Sequence, residues 1–88
     1  MASPDVIEVH PHSIRNRDEL IRSDRCGCFY CGATFPPDEV REWTDDRDGV
    51  GQTALCPRCG IDSVLGSATG FPITPTFLAA MRAHWFGA

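Results

Sequence analysis

The chain contains no lysine. All eight of its basic residues are arginines, twelve residues are acidic, and the formal net charge is −4. Affinity for a phosphate backbone depends on concentrated positive charge, so this balance disfavours a nucleic-acid-binding protein. The one local cluster of basic residues is interleaved with acidic residues, as on a solvated helix face. It consists of Arg15, Arg17, Arg22 and Arg25.

Long apolar segments and a secretory signal are also missing. The longest uncharged stretch, residues 63–81, includes two glycines and two prolines, which argue against a membrane span. Residues 1–8 show neither the basic nor the apolar region of a signal peptide. The five cysteines are an odd number, which does not suit a disulfide framework. We therefore expect reduced thiols, a cytoplasmic location and no membrane partner.

The chain is short, and its length limits how it can be stabilised. Its 88 residues suffice for a single domain over residues 1–88. A core of this size buries little apolar surface, so that a bound metal or disulfides often supply the missing stability. With disulfides disfavoured, a metal site becomes the expected stabilising element.

Four of the cysteines form two C-x2-C pairs, each followed by glycine. The pairs are Cys28 with Cys31 and Cys56 with Cys59, and residues 32–55 between them leave room for a hairpin. Two such pairs complete the tetrahedral set of four thiolates that Zn2+ favours. We predict that these four cysteines bind a structural zinc ion; iron is the alternative, because the same ligands suit it.

Two metal-stabilised folds are consistent with these pairs. In a treble clef the second pair opens a helix, which the spacing of Ile61, Val64 and Leu65 favours. In a zinc ribbon or rubredoxin-like fold both pairs form knuckles and a strand follows the second, which the glycine after each pair favours. We expect a small zinc-stabilised α+β domain that is treble-clef-like, with the zinc ribbon as the alternative.

The N-terminal part predicts two short elements. Residues 1–12 form either a flexible segment or a strand at Val6–Val9. A helix over residues 17–23 follows, with Asn16 as its N-cap. Its buried contacts are expected to be Leu20 and Ile21.

The remaining elements follow from alternation, turn residues and helical spacing. They are a strand over 40–44, a turn at Asp48-Gly49, a strand over 52–55 and an amphipathic C-terminal helix over 75–86. Thr74 followed by Pro75 is a strong helix start. The apolar stripe of this helix consists of Phe77, Leu78, Met81 and Trp85.

Three further residues are candidates for auxiliary chemistry. Cys26 is either a buried, inert thiol, a reactive thiol whose pKa Arg25 lowers, or a ligand in place of Cys28. His10 and His12 would point the same way on a strand and could then share a second metal ion; surface histidines are the simpler interpretation.

Most of the chain resembles a known family, including His12-Ser13, Asn16-Arg17 and the run CGCFYC at residues 26–31. The run CPRCGIDSVLG at residues 56–66, GFPIT at 70–74 and HWF at 84–86 are similar to a family of small bacterial cytoplasmic proteins of unknown function. The resemblance implies a cytosolic protein with a cysteine-bound metal and brings no activity with it. A more distant likeness is to HNH nucleases, but their catalytic histidine has no counterpart in the strand Val40–Thr44.

These observations favour a binding role over catalysis. A closed set of four thiolates has no exchangeable water to activate, so that an enzyme is the less favoured interpretation. We expect a cytosolic interaction module, and the acidic balance favours a protein partner. The alternatives are a redox- or metal-responsive protein, which would use Cys26 or rubredoxin-like iron, and a nucleic-acid-binding zinc finger, which the net charge disfavours.

Overall fold

The computed structural model describes residues 4–87 and shows an α+β fold with small antiparallel sheets. The helices are α1 (Pro4–Glu8), α2 (Arg17–Ile21) and α3 (Pro75–Phe86), and 3-10 turns cover His10–Ser13, Pro37–Glu39 and Ser67–Thr69. The strands are β1 (Cys26–Cys28), β2 (Thr34–Phe35), β3 (Trp43–Arg47), β4 (Val50–Ala54) and β5 (Val64–Gly66). The expected α+β class and C-terminal helix are both confirmed.

The central sheet has the order β2-β1-β5, and β1 is buried along its whole length. Since successive side chains of a strand point to opposite faces, Cys26 and Cys28 share one face and Gly27 lies on the other. A Cβ at Gly27 would come within 2.8 Å of both Ile73 and Leu78. This close approach explains why a glycine stands at the centre of the sheet.

Each face of the sheet has its own apolar cluster. One cluster consists of Leu20, Cys26, Cys28, Phe35, Val40, Ala54, Cys56 and Val64. The other consists of Val6, Val9, Phe29, Leu65, Ile73, Leu78 and Met81. The first cluster therefore packs beside the cysteine pairs, and the second lies under α1 and α3.

The segment after the second cysteine pair is a strand, so the helix predicted there is wrong. Val64 and Leu65 are both fully buried, but on opposite faces of the sheet. A strand buried on both faces shows a continuous apolar run. Here the adjacent Val64 and Leu65, together with Ile61, also fit the i, i+3, i+4 spacing of a helix. A strand after the second pair is the arrangement expected of a two-knuckle zinc ribbon, and the described residues show no treble-clef helix.

The N-terminal segment also differs from expectation, because it is helical instead of a strand or a tail. Val6 and Val9 are buried at 2% and 0% exposure, and their spacing places them on one face of α1 and the turn after it. That face packs against α3. The first three residues of the predicted segment lie outside the described residues.

Helix α2 is shorter than predicted and buries only one of its two expected contacts. Leu20 is 1% exposed, whereas Ile21 is 63% exposed. The side chain of Asn16 makes no N-cap hydrogen bond. It is buried and bonds to backbone groups of distant segments instead, as described in the Discussion.

The hairpin and the C-terminal helix form largely as predicted. Asp48 and Gly49 have φ angles of 53° and 83°, which suits the tight turn that joins β3 to β4. β3 lies three residues later than expected, at 43–47, whereas β4, at 50–54, begins two residues earlier and ends one residue earlier than expected. The hydroxyl of Thr74 accepts a hydrogen bond from the backbone N–H of Phe77, which confirms the start of α3.

Candidate metal centre

The two cysteine pairs lie in turns of the same shape. The N–H of Gly32 donates to the carbonyl of Cys28, and the N–H of Gly60 donates to that of Cys56, both at 2.9 Å. The two glycines have nearly equal φ angles of 81° and 80°, which glycine adopts without strain. Both pairs are therefore knuckles, as the glycine after each pair predicted.

The structure brings the four paired cysteines together. Their sulfur atoms all lie within 4.8 Å of one another. Two sulfur–sulfur distances, Cys28 to Cys59 and Cys31 to Cys56, are 3.7 Å. Zn–S bonds of about 2.3 Å give a tetrahedron whose edges measure about 3.8 Å, and a disulfide would need about 2.05 Å. The group can therefore hold a tetrahedral metal ion.

Hydrogen-bond donors surround the sulfur atoms and can stabilise thiolates. The backbone N–H of Tyr30 donates to Cys28 Sγ and that of Arg58 donates to Cys56 Sγ, both at 3.3 Å. Each donor stands two residues after its cysteine, so the knuckles repeat this feature as well. The hydroxyl of Ser63, which is 2% exposed, lies 3.0 Å from Cys28 Sγ. These groups spread the negative charge that four thiolates would concentrate.

The pKa values of three of these four thiols are shifted from their ordinary value. Burial raises the pKa of Cys59 to about 12, and burial raises that of Cys28 as well. Cys31 is exposed. Its slight burial raises its pKa, but hydrogen bonds from the backbone amide of Ala33 and from the neighbouring cysteines lower the pKa overall. Four thiolates at this spacing repel one another, and a bound cation would offset that repulsion.

Cys26 lies outside this group, although it shares a strand face with Cys28. Its side chain is fully buried, and burial raises its pKa to about 11. This shift is opposite to the lowering that a neighbouring Arg25 would cause. The structure therefore matches the interpretation of Cys26 as a buried thiol and gives no support to a reactive one.

His10 and His12 lie on a 3-10 turn and point to different partners. The ring of His10 stacks on Trp85 with centroids 3.8 Å apart, whereas Nδ1 of His12 lies 3.0 Å from a carboxylate oxygen of Glu19. Within residues 4–87, the four paired cysteines form the one group of three or more metal-binding side chains. The alternative that the two histidines share a second metal ion therefore has no support.

Another cavity lies away from the cysteines. It measures about 610 Å³, and its lining residues are Arg15, Asp18, Asp45, Asp46, Arg47 and Gln52. None of these side chains is buried or apolar, whereas small-molecule sites are mostly lined by apolar groups. Size alone therefore does not make it a ligand site.

Several arginines are engaged within the fold. The guanidinium of Arg17 lies 4.6 Å from the ring centroid of Trp43, and that of Arg82 lies 4.7 Å from the centroid of Tyr30. Arg82 also donates to the backbone carbonyl of Tyr30, and Arg58 forms an ion pair with a surface carboxylate. These contacts reduce the positive charge free to meet a phosphate backbone.

Comparisons with known proteins identify no family for this chain. No protein-family model, no curated protein and no solved structure matches the chain. The resemblance to a bacterial cytoplasmic family therefore stays a prediction. Within the described part of the chain, no helix has both the length and the apolar character that crossing a membrane requires.

Proposed function

We propose that this chain is a structural-zinc module that acts by binding another protein in the cytoplasm. The observation that carries the metal assignment is the spacing of the four sulfur atoms: all lie within 4.8 Å of one another, and two of their distances, at 3.7 Å, match the edge of a tetrahedron around zinc. All four positions are taken by protein ligands. A closed site of this kind serves folding, because it offers no position where water or substrate could bind the metal.

The position of the cysteines explains why the metal would be structural. Cys28 ends the central strand, and Cys56 and Cys59 stand before β5, which pairs with that strand. A metal here would fix the two knuckles at one end of a sheet whose strands have only two or three residues. Structural zinc contributes about 10–16 kcal/mol in small finger peptides, as much as the whole stability of a typical domain.

A protein partner is favoured over the other classes of partner. The chain is acidic, and three of its arginines are already engaged within the fold. Apolar side chains are exposed nevertheless, including Ile14 at 53% and Phe86 at 44%. None of the five cysteines forms a disulfide, which suits the reducing cytoplasm.

The metal assignment is tested by elemental analysis of purified protein. We expect one zinc per chain, loss of that zinc in the Cys59→Ser variant, and unfolding by a strong chelator in far-UV circular dichroism. Cys26→Ala is the matched control, since it removes the fifth thiol and should leave the stoichiometry unchanged. Retention of zinc by Cys59→Ser, or a fold that survives full metal removal, would contradict the proposal.

Rubredoxin-type iron is the second candidate, because the two equivalent knuckles with N–H···S bonds would serve an iron site equally well. It would make the protein a one-electron carrier. A red-brown preparation with visible absorption and one iron per chain would establish it and reject zinc.

The binding role is tested by affinity purification with the metal-loaded chain as bait. We expect one protein to co-purify in fixed proportion and to bind again when both are purified and titrated by calorimetry. The Cys59→Ser chain serves as the unfolded control and should recover none of it. If no protein binds the folded chain specifically, the interaction role is wrong.

A further inference from the structure

A shallow groove lies between the turn at residues 10–14, the first knuckle and the end of α3. We call it the Phe29 groove; Ile14, Phe29 and Phe86 form its apolar border, and Asp62 lies beside them. Ile14 and Phe86 are about half exposed, whereas Phe29 is 2% exposed. The groove therefore combines a buried apolar base with an exposed apolar rim, as a side-chain binding site does.

The walls of the groove are held in place by aromatic packing. The ring of Phe86 lies 5.7 Å from that of Phe29 and 5.0 Å from that of Tyr30. His10, which also borders the groove, stacks on Trp85 at 3.8 Å. Because neighbouring rings pack against Phe86 and His10, a partner would meet a largely preformed surface there and would lose little free energy in ordering it.

Two hydroxyl groups at the groove are already hydrogen-bonded within the fold. The hydroxyl of Ser13 donates to the carbonyl of His10 at 2.8 Å, and the hydroxyl of Ser63 pairs with Cys28 Sγ at 3.0 Å. Asp62 is exposed, and the salt bridges of the described residues do not include it. No arginine borders the groove. Asp62 therefore offers the groove a carboxylate that faces solvent.

The volume of the groove indicates the size of its occupant. It measures about 220 Å³, which is less than the roughly 300–1,000 Å³ of small-molecule pockets. A volume of this size suits one large apolar side chain better than a metabolite. The carboxylate of Asp62 would favour positive charge next to that side chain.

The charge of the whole molecule also favours a positively charged partner. The net charge is −4, and zinc held by four thiolates would add about −2. A cationic segment would therefore be attracted from a distance and oriented by the carboxylate at the groove.

We propose that the Phe29 groove binds one large apolar side chain of a partner peptide whose adjacent residues are Lys or Arg. This inference rests on the proposed interaction role and names the surface and the chemistry of the partner.

The test is a selection of random peptides displayed on phage against the zinc-loaded chain, followed by titration of the best synthetic peptide. We expect selected peptides to share an aromatic or aliphatic residue flanked by Lys or Arg. Phe86→Ala and Ile14→Ser should weaken binding about tenfold or more, since each removes part of an apolar contact. Asp62→Asn should weaken it less and should reduce its dependence on salt.

Two control variants distinguish loss of the binding surface from unfolding of the chain. Ile21→Ser changes an exposed apolar residue that does not border the groove, so that binding should be unchanged. Ile14→Ser removes an exposed side chain and should keep full zinc content and circular dichroism, even if Phe86→Ala loosens α3. Wild-type affinity in a folded Ile14→Ser variant would overturn the inference.

Other outcomes are equally decisive. An acidic consensus, no enrichment of peptides, or a chain that dimerises through Phe86 and ignores the peptides would each overturn the inference. If the co-purified protein binds Phe86→Ala and Ile14→Ser as tightly as the wild type, the groove is wrong and the interaction role stands. If no protein binds the folded chain at all, the interaction role itself fails.

Discussion

Asn16 joins three parts of the chain that are distant in sequence, and its removal tests how the fold is held together. The side-chain Nδ2 donates to the carbonyl of His12 at 3.0 Å and to that of Val64 at 2.8 Å. Its Oδ1 accepts from the backbone N–H of Ala54 at 3.2 Å. The side chain is buried at 3% exposure. One amide therefore links the N-terminal turn, the hairpin and the central sheet.

The Asn16→Ala variant should lose about 2–6 kcal/mol of unfolding free energy. Val64 and Ala54 are fully buried, so their carbonyl and N–H groups would lose a partner that water cannot replace. Each such unsatisfied group costs about 1–3 kcal/mol. The carbonyl of His12, a half-buried residue, has water within closer reach and adds less. The loss is a large share of the 5–15 kcal/mol of a typical domain.

The assay is urea unfolding of the zinc-loaded protein at a fixed, buffered concentration of free zinc, since metal release on unfolding shifts the apparent stability. Asp18→Ala, at an exposed position of the same helix, is the control and should change stability by less than about 0.5 kcal/mol. Asn16→Asp keeps an oxygen for Ala54 but turns a carboxylate toward two carbonyls, so it should lose at least as much as Asn16→Ala. A loss below about 1 kcal/mol in Asn16→Ala would refute the reasoning.

Two further predictions concern the central strand. Gly27→Ala should destabilise the fold by about 1–3 kcal/mol, because its Cβ would crowd Ile73 and Leu78 at 2.8 Å; the loss should shrink in a Leu78→Ala background, and an equal loss in both backgrounds would contradict this origin. Cys26 should resist a maleimide reagent in the folded protein at neutral pH and react once urea unfolds it. Since its pKa rises from 9.0 to about 11 on folding, its contribution to stability is complete below pH 9 and is lost as the pH approaches 11. Cys26→Ala should lack that part of the alkaline decline; an identical decline in both proteins would reject it.

The features that could be predicted from the sequence are those that short-range signals determine. Thr74 and Pro75 specify the start of α3 by their own chemistry, and Asp48-Gly49 specifies a tight turn. The glycine after each cysteine pair indicated a knuckle. In all these cases the residues that carry the signal are also the residues that form the structure, and the prediction was confirmed.

The features that could not be predicted depend on contacts between distant residues. Val64 and Leu65 have a spacing that a helix and a doubly buried strand share, and only their pairing with Gly27 and Cys28 decides between the two. Asn16 precedes a helix, as an N-cap would, yet its side chain forms hydrogen bonds with three backbone groups outside that helix. The Phe29 groove likewise forms from residues that lie far apart in the chain, so no local sequence pattern predicts it.

The proposed metal site and the Phe29 groove share structural elements, so the shape of the groove depends on the metal site. Phe29 directly follows Cys28, one of the four proposed metal ligands, and its backbone N–H donates to the carbonyl of Ser63 at 3.0 Å. The hydroxyl of the same Ser63 lies against Cys28 Sγ. Loss of the metal would release the first knuckle and with it the base of the groove. A structural metal in this position would therefore control binding by deciding whether the surface exists, without contacting the partner.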